Sequence, residues 1–122
     1  MSSITSSKNR LLSVVCHGCT LFGISMISIA VPIVALLMAD DDVVRKNAKE
    51  SINFHLNIWF WAAVIGGIYG VLSFLTFGLL GLILWPLLGL GFFWHAFWSV
   101  MAVIHSLGSD EPYRYPFILR VL

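Results

Sequence analysis

Between Glu50 and Asp110 lie 59 consecutive residues without an Asp, Glu, Lys or Arg. A helix crosses the hydrocarbon core of a bilayer with about 20 apolar residues, so this run is far too long for one crossing. As a single helix rising about 1.5 Å per residue it would reach nearly 90 Å. It must turn back on itself, which predicts two membrane-spanning helices joined tightly. Composition agrees: 59% of the 122 residues are hydrophobic and 11% are charged, with a mean hydropathy of +0.92. Soluble domains carry about 25% charge. The net charge of +1 supplies no field for nucleic acid, which is excluded as a partner in favour of the lipid bilayer and other membrane subunits.

Residues 1–10 read as a polar, Ser-rich tail ending in Lys8 and Arg10, and residues 11–122 as a single membrane domain. From Leu11 to Met38 another 28 residues carry no charge. That is longer than the apolar region of a secretory signal, and no small-residue cleavage pattern follows. It predicts a first spanning helix over 11–38, loosened near Pro32 and stopped by Asp40, Asp41 and Asp42. The expected fold is therefore all-α and integral to the membrane, with three transmembrane helices over about 11–38, 51–75 and 82–107.

The acidic trio precedes Arg45, Lys46 and Lys49, the order that favours a helix start near Asp42. Residues 42–50 then form a short amphipathic, interfacial entry to the second span. Trp59, Phe60 and Trp61 suit an aromatic belt or a helix contact. Thr76 to Gly81 supply the turn, and Pro86 is expected in the first turn of the third helix. After Gly108, the segment Pro112-Tyr113-Arg114-Tyr115-Pro116 cannot be a regular helix and predicts an extended interfacial strap. Phe117 to Leu122 are too few to span and are expected at the boundary layer. Three crossings would place Lys8 and Arg10 on one side and Arg45, Lys46, Lys49, Arg114 and Arg120 on the other, which favours a cytoplasmic C-terminus.

Few residues offer chemistry. Cys16-His17-Gly18-Cys19 puts two thiols on one helix face, a pattern found in metal and redox sites, yet a structural zinc needs four ligands and a thiol relay a second pair. Small helix-contact residues are the competing reading. His95, flanked by Trp94 and Trp98 in the third helix, could ligate a haem or chlorophyll metal, or bond to a neighbouring helix. In the three-span topology His17 lies at the membrane face opposite His55 and His105, whereas those two could approach each other. Neither a serine nucleophile arrangement, nor paired catalytic carboxylates, nor a phosphate-binding glycine loop is present, so an enzyme is not expected. Ala62, Gly66 and Gly70 repeat every fourth residue, the spacing that lets helices approach closely, here against the third helix. Glu50, Asn53 and Asn57 share a helix flank at the interface and need partners, which Tyr113, Arg114 and Tyr115 of the strap could supply; an Arg114 to Glu50 bond is the expected anchor.

The stretch Lys46-Asn47-Ala48-Lys49-Glu50-Ser51-Ile52-Asn53-Phe54-His55-Leu56, together with Pro112-Tyr113-Arg114-Tyr115-Pro116-Phe117, resembles small bacterial membrane proteins related to the chloroplast inner-envelope import component called Tic twenty. The likeness extends over nearly the whole chain after the tail. It implies a helical fold in a bacterial inner or thylakoid membrane and a place in protein translocation, or as an accessory or assembly subunit of a larger membrane complex. It implies no catalytic residues. The alternative is a pigment- or haem-binding subunit using His95, and a thiol role for Cys16 and Cys19 is a third.

Overall fold

The computed structural model describes residues 2–22 and 25–122. Four helices follow one another: α1 (Ser2–Gly18), continued by a 3-10 turn over Cys19–Phe22, then α2 (Ala30–Met38), α3 (Asp42–Leu75) and α4 (Leu79–Gly108). No strand occurs among the described residues. The molecule is built on an antiparallel hairpin of α3 and α4, with α1, α2 and the C-terminal strap packed around its open end.

Among the described residues only α3 and α4, of 34 and 30 residues, are long and apolar enough to cross a membrane, two spans instead of the expected three. The run 11–38 is interrupted by the bend and turns of residues 25–29 and resumes as α2, nine residues and about 14 Å long, half a crossing. The reason is the polar content that a charge count passes over. Ser13, His17 and Thr20 recur at helical spacing and are buried against protein, so this face of α1 is committed to a polar core. Pro32 sits in the first turn of α2, where its missing N–H costs little, rather than kinking a continuous helix. Residues 2–10, expected as a tail, are the first turns of α1.

The hairpin itself follows from local chemistry. The Asp41 carboxylate caps α3 by accepting from the N–H groups of Val43 (2.9 Å) and Val44 (3.0 Å), and Asp42 lies in the first turn at the positive end of the dipole. At the other end Thr76 Oγ1 donates to Leu72 O (2.7 Å) and accepts from Leu80 N (3.1 Å), while Phe77 and Gly78 take left-handed φ values of 51° and 88°. The turn is thus three residues, and α4 begins earlier than expected. Pro86 is consequently the eighth residue of α4, not part of its first turn.

The close approach of the two helices is not at the small-residue repeat. A Cβ placed on Gly66 or Gly70 would meet nothing within 4 Å, so this face does not pack on α4 as expected. A Cβ on Gly81 would come within 2.8 Å of Ser73 Oγ and 3.1 Å of Tyr69 Oη, whose hydroxyl donates to Gly81 O at 3.1 Å. That is where the backbones need a glycine.

With two long helices instead of three, the ends of the chain meet. Arg10 grips Asp110 through Nε (2.8 Å) and Nη2 (3.0 Å), and Ser6 donates to the same carboxylate. Lys8 and Arg10 therefore lie beside the C-terminal strap, not across the membrane from it. His17 likewise lies on the same side as His105, with the Tyr113 ring 5.7 Å from His17 and 5.3 Å from His105. His55 is level with His95, ten residues or about 15 Å along α4 from His105, so that pair does not meet.

Candidate functional site

The strap, Ser109 to Leu122, has no sheet partner, yet its N–H groups lie against a buried surface and need acceptors. The face of α3 that carries Asn47, Glu50, Asn53 and Asn57 supplies them. Tyr113 N donates to Asn47 Oδ1 (2.9 Å), Tyr115 N to Glu50 Oε1 (2.7 Å), Leu119 N to Asn57 Oδ1 (2.9 Å), and Val121 N and Leu122 N both to Asn53 Oδ1 (2.9 and 3.0 Å). Asn57 Nδ2 returns a bond to Leu119 O at 2.6 Å. Four side chains on one helix do for the strap what the edge of a sheet does for a strand.

Charge is settled inside this clasp. Glu50, 6% exposed, accepts from Arg120 Nη2 at 2.6 Å and Nε at 3.1 Å, and Arg120 also donates to Tyr115 O. The guanidinium on Glu50 is thus that of Arg120, and Arg114, the expected partner, is exposed. The difference is geometric: Tyr113 and Tyr115 turn inward, which leaves the residue between them pointing outward in an extended chain.

Beneath the strap lies a buried polar core. Tyr115, 1% exposed, stacks on Phe54 with ring centroids 3.9 Å apart, and its hydroxyl reaches His17 Nδ1 at 2.9 Å. His17 Nε2 is 2.8 Å from Asn47 Oδ1. Asn47 gives its amide N–H to Ser13 Oγ (3.0 Å) and presents its oxygen to both His17 and Tyr113 N. That oxygen can only accept, so His17 carries its proton on Nε2 and accepts a hydrogen bond from the Tyr115 hydroxyl at Nδ1. Burial pushes His17 down to about 4 and the Tyr115 phenol up, so both are neutral at physiological pH. Thr20 Oγ1 lies 2.6 Å from His17 O and 2.7 Å from Ser99 Oγ, tying α1 to α4. Ser51 Oγ donates to Cys16 O (2.6 Å), and His55 bridges Ser51 O (2.8 Å) and Ser28 Oγ (3.0 Å), tying α3 to α1 and to the entry of α2.

The remaining candidates separate. Burial lifts the Cys16 thiol to about 12, which keeps it protonated at physiological pH. Among the described residues no group of three His, Cys, Asp or Glu is placed to hold a metal ion. His95, 8% exposed, stacks parallel to Phe54 at 5.5 Å, and among the described residues neither ring nitrogen makes a well-formed hydrogen bond, although the backbone of Thr20 and Leu21 lies near it. Sequence reasoning missed His17, Asn47 and Arg120. Asn47 was legible, three residues before Glu50 on the same face; His17 was hidden by reading its helix as a lipid-facing span.

A family model described as the magnetosome magnetite crystal formation protein family matches residues 8–122, from the middle of α1 to the last residue of the strap. The chain belongs to that family. The match spans every element that builds the clasp, and the family together with two helices long and apolar enough to cross a membrane indicates a membrane protein. It carries nothing of the Tic twenty import component or of protein transport, so the finer expectations drawn from that resemblance find no support in it. No curated protein and no solved structure matches the chain.

Proposed function

We propose that this protein is a non-catalytic accessory or assembly subunit of the magnetosome membrane that serves magnetite crystal formation from its charged face. The observation that carries this reading is the family match over residues 8–122. The chemistry supports it: the buried His17, Tyr115, Glu50 and Asn47 are spent on one another and on the strap backbone, which is how groups that hold a surface together behave.

The distribution of charge supports one orientation. All seven Lys and Arg lie in α1, the first turns of α3 and the strap, all around the open end of the hairpin, while the turn Thr76–Gly78 is uncharged. Cytoplasmic segments are enriched in Lys and Arg, so the open end and the C-terminus face the cytoplasm. The exposed Lys46, Lys49 and Arg114 beside the clasp are the docking groups for other membrane subunits. The test is complementation: in a magnetite-forming bacterium lacking this protein, crystal size measured by electron microscopy returns to normal with the natural chain. It does not return with Lys46→Ala, Lys49→Ala and Arg114→Ala combined, although that variant reaches the membrane. Full rescue by the triple variant would overturn the docking role, and crystals unaffected by loss of the protein would overturn the whole reading.

A second reading rests on His95, whose ring nitrogens make no well-formed hydrogen bond among the described residues and so offer an imidazole lone pair for haem or chlorophyll. The ring is covered by Phe54 and almost fully buried, so a macrocycle would have to displace that packing. A visible absorption band in protein from native membranes, lost in His95→Ala, would establish this reading over the first.

A further inference from the structure

The two halves of the hairpin differ in what surrounds them. α1 descends from the Arg10–Asp110 pair through His17 beside Asn47 to Thr20 beside Ser99, and the chain comes back up from Ser28, beside His55, to Leu36, whose carbonyl accepts from Arg45. The strap covers the same depth, with Leu119 on Asn57 and Phe117 near Trp94. From Lys49 to the level of Trp59, about 15 Å, the hairpin is thus wrapped by α1, α2 and the strap, whereas from Trp59 to Leu75 it runs on for about 24 Å, so the collar sits at one face of a hydrocarbon core of roughly 30 Å and reaches only into its near side. Exposed Val15, Leu21, Phe22, Met26, Ile27, Val34 and Leu37 face outward from this collar, an apolar surface for acyl chains.

Beyond Trp61 the hairpin goes on alone. Ile65, Ile68, Val71, Phe74, Leu82 and Trp85 are exposed, and Phe77 at the turn is fully exposed. A helix with its side chains is about 10 Å wide, so four helices and a strap at one membrane face against two helices through the remaining depth make roughly a twofold difference in cross-section. We propose that the protein is a wedge whose lipid partner is a curved bilayer, with the collar in the expanded, convex leaflet. This rests on the membrane reading above and deepens it. With the collar cytoplasmic, the convex leaflet is the outer one of a vesicle or bud bulging into the cytoplasm.

The test uses the full chain, labelled with a fluorophore after Leu122 and reconstituted into phosphatidylcholine–phosphatidylglycerol liposomes of mixed diameter. A membrane-impermeant quencher counts collar-outward molecules on single vesicles. Their density per lipid is expected to rise several-fold from large to small vesicles and that of collar-inward molecules to fall; equal densities at all sizes overturn the wedge. Gly66→Phe with Gly70→Phe thickens the narrow half where a Cβ meets nothing, and should flatten the dependence while leaving helicity unchanged. Undiminished enrichment in that variant overturns shape as the cause. Protein that fails to float with the liposomes at all overturns the membrane reading, and the wedge with it.

Discussion

Single residues decide how firmly the strap is held. Removing Arg120 leaves the Glu50 carboxylate buried with one backbone donor, whereas removing Arg114 takes away an exposed cation. Arg120→Ala should therefore cost about 2 kcal/mol, below the 3–5 typical of fully buried pairs because Arg120 is partly solvated. Arg114→Ala should cost close to nothing; chemical unfolding in detergent compares them, and equal losses would contradict the assignment. His17 makes stability depend on pH. Its folded value, near 4, lies below the unfolded 6.5, so the neutral ring favours the fold above pH 6.5 and that contribution is lost as pH falls toward 4. At its full extent the effect is about 3 kcal/mol. Thermal unfolding followed between pH 7 and pH 4 should show the drop in the natural chain and a shallower one in His17→Asn, and parallel curves would refute the role of this ring.

Among the elements, the hairpin was the most legible in the sequence and the first apolar run the least. The uncharged stretch after Glu50 forced a fold-back, and Thr76 and Gly78 marked its place because Thr76 can cap both helices and Gly78 can adopt positive φ. The run 11–38 misled because Ser13, His17 and Thr20 carry no charge, and their burial depends on partners such as Asn47 and Ser99 that no local pattern reveals. Strap and α3 could be paired from their unsatisfied amides, but which arginine closes the pair depends on the side to which an extended chain turns each residue. The glycines sort the same way. Gly81→Ala should lower the unfolding temperature, at about 1–2 kcal/mol, since its Cβ falls within 2.8 Å of Ser73 Oγ. Gly66→Ala, facing open space, should be neutral or gain up to about 1 kcal/mol from helix propensity. The opposite order would mean that the helices approach along the small-residue repeat after all.

For the whole molecule, the salt bridge between Arg10 and Asp110 makes the simplest test of topology. Reporters fused before Met1 and after Leu122 should give the same signal, both cytoplasmic; opposite signals would restore an odd number of crossings. The turn over Thr76–Gly78 then has a consequence of its own. Everything the chain can say in ionic terms is said on one side, and to the other it shows a phenyl ring and a glycine. If the orientation proposed above holds, a mineral lattice growing in that second compartment would find no carboxylate on this protein to template it and no ammonium to repel it. On the proposed orientation, an effect of this chain on a crystal would be relayed by the tension and composition of the lipid around it or by proteins recruited from behind the wall.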